Sequence, residues 1–207
     1  CALAGSILVA IKAIERDHLK DAEAALQRRD PMAALKSLDT FLKEKPDHAQ
    51  ARLWRGRIRA DMGALDRAIE DLEEAVKLAP ENGEARSARG FVYQKKGRLD
   101  EAMADFNMAL RMNPDDELAL YCRGLLHGQR NELAAALADL NAALQLNPEN
   151  YPARASRGQI HLLRRQFDDA LADFEAAIRN EPNNPATLSG RAAAFYGKGE
   201  YEKAIED

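Results

Sequence analysis

Cysteine is scarce in this chain of 207 residues, which contains only Cys1 and Cys122. Two cysteines cannot build a disulfide framework, and neither lies in the CxxC or Cys/His spacing that a zinc site requires. No histidine stands at a spacing from Cys122 that would suggest a catalytic pair, so we expect a buried and unreactive thiol there. The cysteines exclude a disulfide-rich domain and leave the redox compartment open.

Aromatic residues are also few, at 6% of the chain, and neither sign of charge dominates. The 30 Lys and Arg residues nearly balance 34 Asp and Glu residues, which gives a net charge of -4 and a pI near 5.7. The two signs are interspersed, as is typical of a solvated helical surface, and no basic cluster is available to attract nucleic acid. Abundant Ala, Leu, Arg and Glu predict helices and almost no β-structure. The balanced charge predicts no nucleic-acid partner.

An apolar run, ALAGSILVAI, occupies residues 2–11 and is too short to span a bilayer. Three interpretations stay open for this N-terminal segment, residues 1–14. It is the remnant of a cleaved or anchoring segment, a lipoprotein-like start with a lipid on Cys1, or the first turns of a capping helix. The localisation is therefore unknown, although the run favours a membrane-anchored or periplasmic protein over a cytoplasmic one.

The sequence repeats with a period of 34 residues. Proline ends each apolar stretch, where a residue without an N–H stops one helix and leads into the next. A helical glycine costs about 1 kcal/mol relative to alanine, so glycine recurring at one phase predicts two helix backbones in close approach. The series are Pro46, Pro80, Pro114, Pro148 and Pro182; Gly56, Gly90, Gly124 and Gly158, followed by Ala192; and Ala34, Ala68, Ala102, Ala136, Ala170 and Ala204.

Two apolar series of the same period lie four residues apart, hence on one helical face, which we expect to form the core. A break near the middle of each repeat predicts two helices joined by a left-handed cap, a conformation that suits Gly or Asn. Arg165 departs from this pattern and predicts a strained or differently shaped turn. The core series are Leu38, Leu72, Phe106, Leu140 and Phe174, and Leu42, Val76, Leu110, Leu144 and Ile178; the turn residues are Gly63, Gly97, Asn131, Arg165 and Gly199.

These positions resemble the tetratricopeptide repeat (TPR) family, a helix-turn-helix of 34 residues with the pattern W-x2-L-G-x2-Y, then A-x3-F, then P. The resemblance implies an all-α fold, a right-handed α-solenoid superhelix of about six TPR units. In the degenerate first repeat, Asp30 and Pro31 predict an N-cap and a first-turn proline for its second helix. The predicted boundaries are 15–48 for the degenerate repeat, 49–82, 83–116, 117–150 and 151–184 for four complete repeats, and 185–207 for a truncated sixth.

One departure from the family is itself periodic, because Arg stands where the family usually has Leu before the Gly, and Asp follows each Arg by sixteen residues. In an antiparallel helix pair the two side chains come to a similar height, within one repeat or across to the next. We therefore predict a structural ladder of ion pairs that specifies register more surely than it adds stability. The pairs are Arg55 with Asp71, Arg89 with Asp105, Arg123 with Asp139, Arg157 with Asp173, and Arg191 with Asp207.

Signatures of catalytic and cofactor sites are missing: the sequence has no GxxxxGK[ST], GxSxG, HExxH or EF-hand loop. His127 and His161 stand 34 residues apart, where neighbouring repeats carry Tyr93 and Phe195, so we expect them to be aromatic packing residues. No third ligand for a metal is evident beside them. We therefore predict a protein that is not an enzyme and has no metal site and no cofactor.

By resemblance to the family, the first helices of the repeats form the concave surface that binds a peptide. This surface is mixed, with apolar and aromatic residues between Arg, Lys and Gln side chains. Some of its residues, Leu53 and Leu163 above all, are alternatively buried by packing between repeats. The predicted binding residues are Leu53, Arg57, Ser87, Phe91, Lys95, Tyr121, Leu125, Gln129, Gln159, Leu162 and Tyr196, accompanied by Asp61, Gln94, Ala155, Leu163, Ser189 and Ala193.

The leading functional prediction is a bacterial-type adaptor that binds an apolar or amphipathic segment of a partner protein in this groove and is tethered near a membrane by its N-terminus. One alternative is that the repeats are the docking or regulatory region of a larger enzyme. Another is a structural protein that self-associates through its terminal repeats. A repeat scaffold by itself does not name the partner or the biological process.

Overall fold

The computed structural model describes residues 18–207. The N-terminal segment, with the three interpretations of Cys1 and the apolar run, lies outside this described part. Residues 18–207 consist of helices joined by short turns, with no strand among them. In the same residues no helix combines the length and the apolar character that crossing a bilayer requires.

Twelve helices follow one another in antiparallel pairs within the described residues, and each pair falls inside one predicted repeat. In every complete repeat the first helix has 13 residues and the second has 14. The helices are α1 (residues 18–27), α2 (Pro31–Glu44), α3 (Ala49–Asp61), α4 (Leu65–Leu78), α5 (Gly83–Lys95), α6 (Leu99–Met112), α7 (Glu117–Gln129), α8 (Leu133–Leu146), α9 (Tyr151–Leu163), α10 (Phe167–Asn180), α11 (Pro185–Lys198) and α12 (Tyr201–Glu206).

The start of each first helix from α3 onward is fixed by a side chain two residues after the boundary proline. Asn82, Asp116, Asn150 and Asn184 each accept a hydrogen bond from a backbone N–H of the first turn, as does the imidazole of His48. These bonds satisfy N–H groups that have no partner inside the helix.

The predicted cap of the degenerate first repeat is confirmed. The carboxylate of Asp30 accepts a hydrogen bond of 3.0 Å from the N–H of Ala33, and Pro31 occupies the first turn of α2. The missing N–H of proline costs nothing at this position, because it would have no partner within the helix.

The turn between the two helices of a repeat has a left-handed residue, as predicted. The φ angles are 78° at Gly63, 59° at Asn131 and 59° at Arg165. The N–H of Arg165 donates to Leu162 over 2.9 Å, and the N–H of Gly63 makes the equivalent bond to Ala60 over 3.1 Å. The expectation of a differently shaped turn at Arg165 is therefore wrong, and what remains is the strain of a side chain at positive φ.

The predicted core series are buried. The five residues of the leading series, Leu38, Leu72, Phe106, Leu140 and Phe174, are all 0% exposed. The second series is buried at Leu42, Val76, Leu110 and Leu144, whereas Ile178 is only half-buried. The face that the spacing of four residues defines is thus confirmed as the core.

The helical glycines of the 34-residue series stand where two helices touch. A Cβ atom added at Gly56 would lie 2.7 Å from Cγ of Leu72, and one at Gly158 would lie 2.9 Å from Cε1 of Phe174. Both distances are shorter than ordinary van der Waals contact. The close approach that the glycine series predicts is confirmed at these positions.

The chain forms two compact halves, which we call the N-terminal half, up to Asp105, and the C-terminal half, from Phe106 to Asp207. In the N-terminal half, α1, α2 and α3 share a cluster of buried side chains against which Trp54 packs. In the C-terminal half, one cluster joins α8 with α9 and another joins α10 with α11. Each half therefore has its own core.

Candidate functional site: first-helix surfaces and the arginine ladder

Two residues of the predicted binding surface lie in the interior. Leu53 of α3 is 0% exposed and Ser87 of α5 is 2% exposed. The hydroxyl of Ser87 donates a hydrogen bond of 3.1 Å to the backbone carbonyl of Glu84. A peptide could reach neither side chain without displacing packed neighbours. The binding surface is therefore corrected to exclude Leu53 and Ser87.

Three accessible predicted residues of the N-terminal half, Arg57, Phe91 and Lys95, already have partners within the chain. The guanidinium of Arg57 is paired with the carboxylate of Glu84, and both side chains are exposed. Phe91 is half-buried, and the ammonium of Lys95 lies 4.6 Å from the centroid of its ring. This half offers one aromatic ring whose face is already covered by a cation.

The C-terminal half presents more apolar surface on its first helices. Leu163, the last residue of α9, is 61% exposed, and Tyr196, in the last turn of α11, is 67% exposed. The ring of Tyr196 contacts that of Tyr201 edge to face, with 5.3 Å between centroids. Both residues stand in the last turn of their helices, and α9 and α11 contact each other. We call Leu163 and Tyr196 the α9–α11 patch.

The remaining predicted residues of this half differ in their exposure to solvent. Tyr121 and Leu162 are half-buried and pack against the core clusters, and burial raises the pKa of Tyr121. Leu125 is half-buried as well, whereas Gln129 and Gln159 are exposed. Only part of the predicted surface is therefore available to a partner without a cost to the core.

The arginine–aspartate pairs form the most regular polar feature of the described residues. In each pair Nε and Nη2 of the arginine donate to the two carboxylate oxygens of the aspartate sixteen residues later. The Nε distances are 2.8 Å for Arg55–Asp71 and 2.7 Å for Arg89–Asp105, Arg123–Asp139, Arg157–Asp173 and Arg191–Asp207. Bidentate geometry fixes the angle between the two helices as well as their distance.

Three of these arginines also reach the second helix of the preceding repeat. Nη1 of Arg55 donates to Asp39 over 2.8 Å, and Nη1 of Arg157 donates to Asn141 over 2.7 Å. In the same way, Nη1 of Arg123 is 2.9 Å from the amide oxygen of Asn107. Each of these guanidinium groups therefore holds together three helices from two successive repeats.

Asp71 is the most heavily bonded member of the ladder. Besides Arg55, its carboxylate accepts a hydrogen bond of 2.7 Å from Arg59 and one of 3.3 Å from Arg52. The residue is 1% exposed. Although burial acts to lower the pKa of Arg55, hydrogen bonds and attraction to Asp71 and Asp39 outweigh it and raise that pKa. The network therefore stabilises the charged form of Arg55.

The two histidines that we expected to be aromatic packing residues are half-buried beside the ladder carboxylates. Nε2 of His127 lies 3.8 Å from Asp139, and Nε2 of His161 lies 4.0 Å from Asp173. At the equivalent place the hydroxyl of Tyr93 donates a hydrogen bond of 2.8 Å to the carboxylate of Glu73. Burial, and to a smaller extent this hydrogen bond, raise the pKa of Tyr93 to about 12. The hydrogen-bonding partners of the two histidines are Glu132, which Nδ1 of His127 contacts, and Gln166, whose side-chain oxygen lies 3.2 Å from Nδ1 of His161.

The thiol of Cys122 is buried at 1% exposure, and this burial raises its pKa to about 12. A protonated thiol is a poor nucleophile and a poor metal ligand. Within residues 18–207 no three His, Cys, Asp or Glu side chains are grouped so that they could hold a metal ion.

One pocket of the C-terminal half was not anticipated from the sequence. It has a volume of about 440 Å³ and lies between the end of α6 and the start of α7. The available signal was a break in a further 34-residue series, Arg52, Arg86, Leu120, Arg154 and Leu188, in which leucine twice replaces arginine. The residues that line the pocket are Asn107, Leu110, Arg111, Pro114, Leu120 and Arg123.

Comparison with known families accounts for nearly the whole described chain. The tetratricopeptide repeat pattern matches residues 19–80, 55–117, 121–185 and 164–207, which together cover residues 19–117 and 121–207. The chain belongs to the tetratricopeptide repeat family. Tetratricopeptide repeats are generally non-catalytic modules of protein interaction built by stacking helix pairs. Comparison with curated proteins gave no match.

Several solved structures are similar to this chain. PilW, a widely conserved type IV pilus biogenesis factor, has a TM-score of 0.79 at 24% identity, covering 93% of this chain and 90% of its own. The pilF protein of Pseudomonas aeruginosa has a TM-score of 0.79 at 16% identity, with coverages of 94% and 89%. YrrB, a TPR protein with an unusual peptide-binding site, has a TM-score of 0.68 at 24% identity, with coverages of 84% and 89%. At these identities the similarity concerns the fold alone.

Proposed function

We propose that this chain is a non-catalytic adaptor that binds an apolar or amphipathic segment of a partner protein on the first helices of its repeats. The observation that carries the proposal is the exposure of Leu163 and Tyr196, 61% and 67%, on adjacent first helices. Large apolar side chains at such exposure contribute little to the core. They gain free energy when a partner covers them, about 25 cal/mol for each Å² removed from water.

The surroundings of the α9–α11 patch support a peptide rather than a small molecule as the ligand. Gln159 and Ser189 are exposed on the same two helices and supply groups that can pair with a peptide backbone. Apolar anchors accompanied by polar groups are typical of the surfaces that bind extended or helical segments. YrrB, whose fold is similar, has an unusual peptide-binding site, which is consistent with this proposal.

The proposal is tested with peptides selected from a random library displayed on phage, using the whole chain as bait. We expect selected sequences to carry leucine or aromatic residues at helical or alternating spacing. The double variant Leu163→Ser with Tyr196→Ser should bind the selected peptides at least about tenfold more weakly, since truncation of an interface anchor costs about 1.4 kcal/mol or more.

A matched control is available on a second helix of the same half. Leu146 of α8 is 43% exposed, so Leu146→Ser removes a comparable apolar side chain outside the proposed surface. This variant should bind as the wild type does, and circular dichroism should give the same helix content for all three proteins. Equal binding by the double variant, or an equal loss in Leu146→Ser, would contradict the assignment of the surface.

A further inference from the structure

The turns between the two helices of a repeat carry a row of basic residues at one phase of the 34-residue period. A lysine or arginine at the end of a helix is favourable in itself, because it lies at the negative end of the helix dipole. The row alone therefore indicates no ligand. Its members are Lys96, Arg130, Arg164 and Lys198.

Two members of this row are neutralised by an aspartate thirty residues earlier, in the second helix of the preceding repeat. These pairs are Lys96 with Asp66, over 2.8 Å, and Lys198 with Asp168, over 2.6 Å. At the corresponding place before Arg164 the chain has Ala134, which carries no charge. Arg164 is exposed, and no carboxylate of residues 18–207 forms an ion pair with it.

The next residue adds a second positive charge to the same turn. Arg165 is exposed at φ of 59°, where the equivalent residues of other repeats are glycine or asparagine. This conformation is unfavourable for an arginine, and such strain is concentrated at functional sites. The guanidinium lies 5.8 Å from the centroid of the Phe167 ring, within the range of a cation–π contact. Two departures from the repeat pattern thus leave positive charge at one turn.

The acidic residues that follow this turn have other partners. Asp168 is paired with Lys198, which also contacts Glu200 over 3.1 Å. Asp169 accepts a hydrogen bond of 3.4 Å from Gln166. Neither aspartate is within 4.0 Å of a guanidinium nitrogen of the two arginines. A carboxylate brought by a ligand would therefore find both guanidinium groups without an ion pair inside the described part of the chain.

The two arginines directly follow Leu163, the α9 residue of the α9–α11 patch. A guanidinium binds a carboxylate through two parallel hydrogen bonds, so an arginine beside an apolar side chain favours a ligand that combines an acid with an apolar group. Anionic lipid surfaces are typically bound by clusters of four to eight basic residues. Two unpaired arginines therefore favour a segment of protein over a membrane.

We propose that the segment bound by the α9–α11 patch is acidic, and that an Asp or Glu side chain next to its apolar anchor pairs with Arg164 and Arg165. This inference rests on the proposed function, because the patch supplies the apolar contact. It adds the charge of the partner segment to that function.

The test is an NMR titration of the whole ¹⁵N-labelled chain with the blocked peptide acetyl-Ala-Leu-Glu-Glu-Leu-Ala-amide and with the same peptide carrying glutamine or lysine in place of glutamate. We expect saturable shifts of backbone amides at residues 159–168 and 189–199. The glutamate peptide should bind at least about threefold more tightly than the glutamine peptide, and the lysine peptide most weakly. The net charge of -4 would give the opposite order. In 1 M NaCl, where the Debye length is about 3 Å, the preference should disappear.

The matched variants separate charge from apolar contact. Arg164→Gln with Arg165→Gln keeps the patch, so it should bind the glutamate peptide no more tightly than the glutamine peptide, and the glutamine peptide as the wild type does. Ala134→Asp supplies the acidic partner of the other repeats and should reduce the preference for glutamate. Arg179, in the last turn of α10, is exposed in the same half, and Arg179→Gln should leave the preference unchanged.

Three results would overturn this inference and leave the proposed function standing. They are equal affinity of the wild type for the glutamate and glutamine peptides, an unchanged preference in the double arginine variant, and an equal loss in Arg179→Gln. Arginine-dependent binding to phosphatidylserine vesicles without any preference among the peptides would identify a lipid surface instead. If none of the three peptides gave saturable shifts, this inference and the proposed function would fail together.

Discussion

Replacing Asp71 by asparagine removes one negative charge from a buried site while keeping the shape of the side chain. The carboxylate accepts four hydrogen bonds, from Arg52, Arg55 and Arg59, at 2.6 to 3.3 Å, and the residue is 1% exposed. Removing one partner of a buried ion pair typically costs about 3–5 kcal/mol, because the remaining charge stays buried without compensation.

The loss should fall near the lower end of that range. Arg55 and Arg59 each keep a second carboxylate, Asp39, at 2.8 and 3.4 Å. The three arginine side chains are also 14–21% exposed, so water screens part of the uncompensated charge. We therefore expect Asp71→Asn to lower the free energy of unfolding of this region by about 3 kcal/mol.

Trp54 is the chain's only tryptophan and packs against the core cluster of the N-terminal half, so its fluorescence reports local unfolding there. At a urea slope of about 1–3 kcal/mol per molar, Asp71→Asn should lower the midpoint by about 1–3 M. Circular dichroism in parallel reports the whole chain, because repeat proteins open in parts rather than all at once.

The control is a charge pair at the surface of the same half. Asp66, whose side chain is 82% exposed, pairs with Lys96 over 2.8 Å. Because exposed pairs contribute about 0–1 kcal/mol, Asp66→Asn should barely move the midpoint. If Asp71→Asn shifted the Trp54 transition no more than Asp66→Asn does, the ladder would not hold the repeats together as we have argued.

Three further predictions concern the core and the turns. The pKa of Cys122 is raised to about 12 in the folded chain, so on raising the pH the thiol ionises first in the unfolded chain. Relative to Cys122→Ala, the wild type should therefore lose up to about 4 kcal/mol of stability between about pH 9 and 12, as measured by urea titration. The same dependence of stability on pH in the two proteins would refute this. Arg165→Gly should raise the free energy of unfolding by about 0.5–1 kcal/mol, because glycine adopts φ of 59° without strain; a lower melting temperature would contradict it. Gly56→Ala should cost about 1–3 kcal/mol despite the better helix propensity of alanine, since its Cβ would meet Leu72 at 2.7 Å, and a more stable variant would show that the interface has room.

The repeat architecture followed from the sequence because the positions that define it act locally. A proline at each boundary, a left-handed turn residue and an apolar spacing of four residues each constrain the backbone within a few residues. Asp30 and Pro31 were for that reason recognised as a helix start even in the degenerate first repeat, where most of the family pattern is missing. The pairing of Arg55 with Asp71 was also accessible, because an antiparallel pair of helices of fixed length sets which residues are level.

The binding surface was less accessible because exposure depends on neighbouring helices. Leu53 and Leu163 both lie on first helices and are chemically identical, yet one is 0% and the other 61% exposed. Ser87, a small polar residue, is buried for the same reason, and no local pattern distinguishes it from the exposed Ser189.

The sequence by itself determined the period, the turn between the two helices of a repeat and the core face, since these depend on residues close in the chain, and it indicated that each arginine pairs with an aspartate. Tertiary structure alone decided which group Nη1 of Arg55, Arg123 and Arg157 donates to. Nη1 of Arg55 donates to Asp39, a residue of the preceding repeat, and Leu120 lines a pocket, whereas Arg86, at its place in the preceding repeat, donates to the carbonyl of Pro80. These features arise from the stacking of one repeat on the next, which sets distances between helices that the spacing of residues along the chain does not specify.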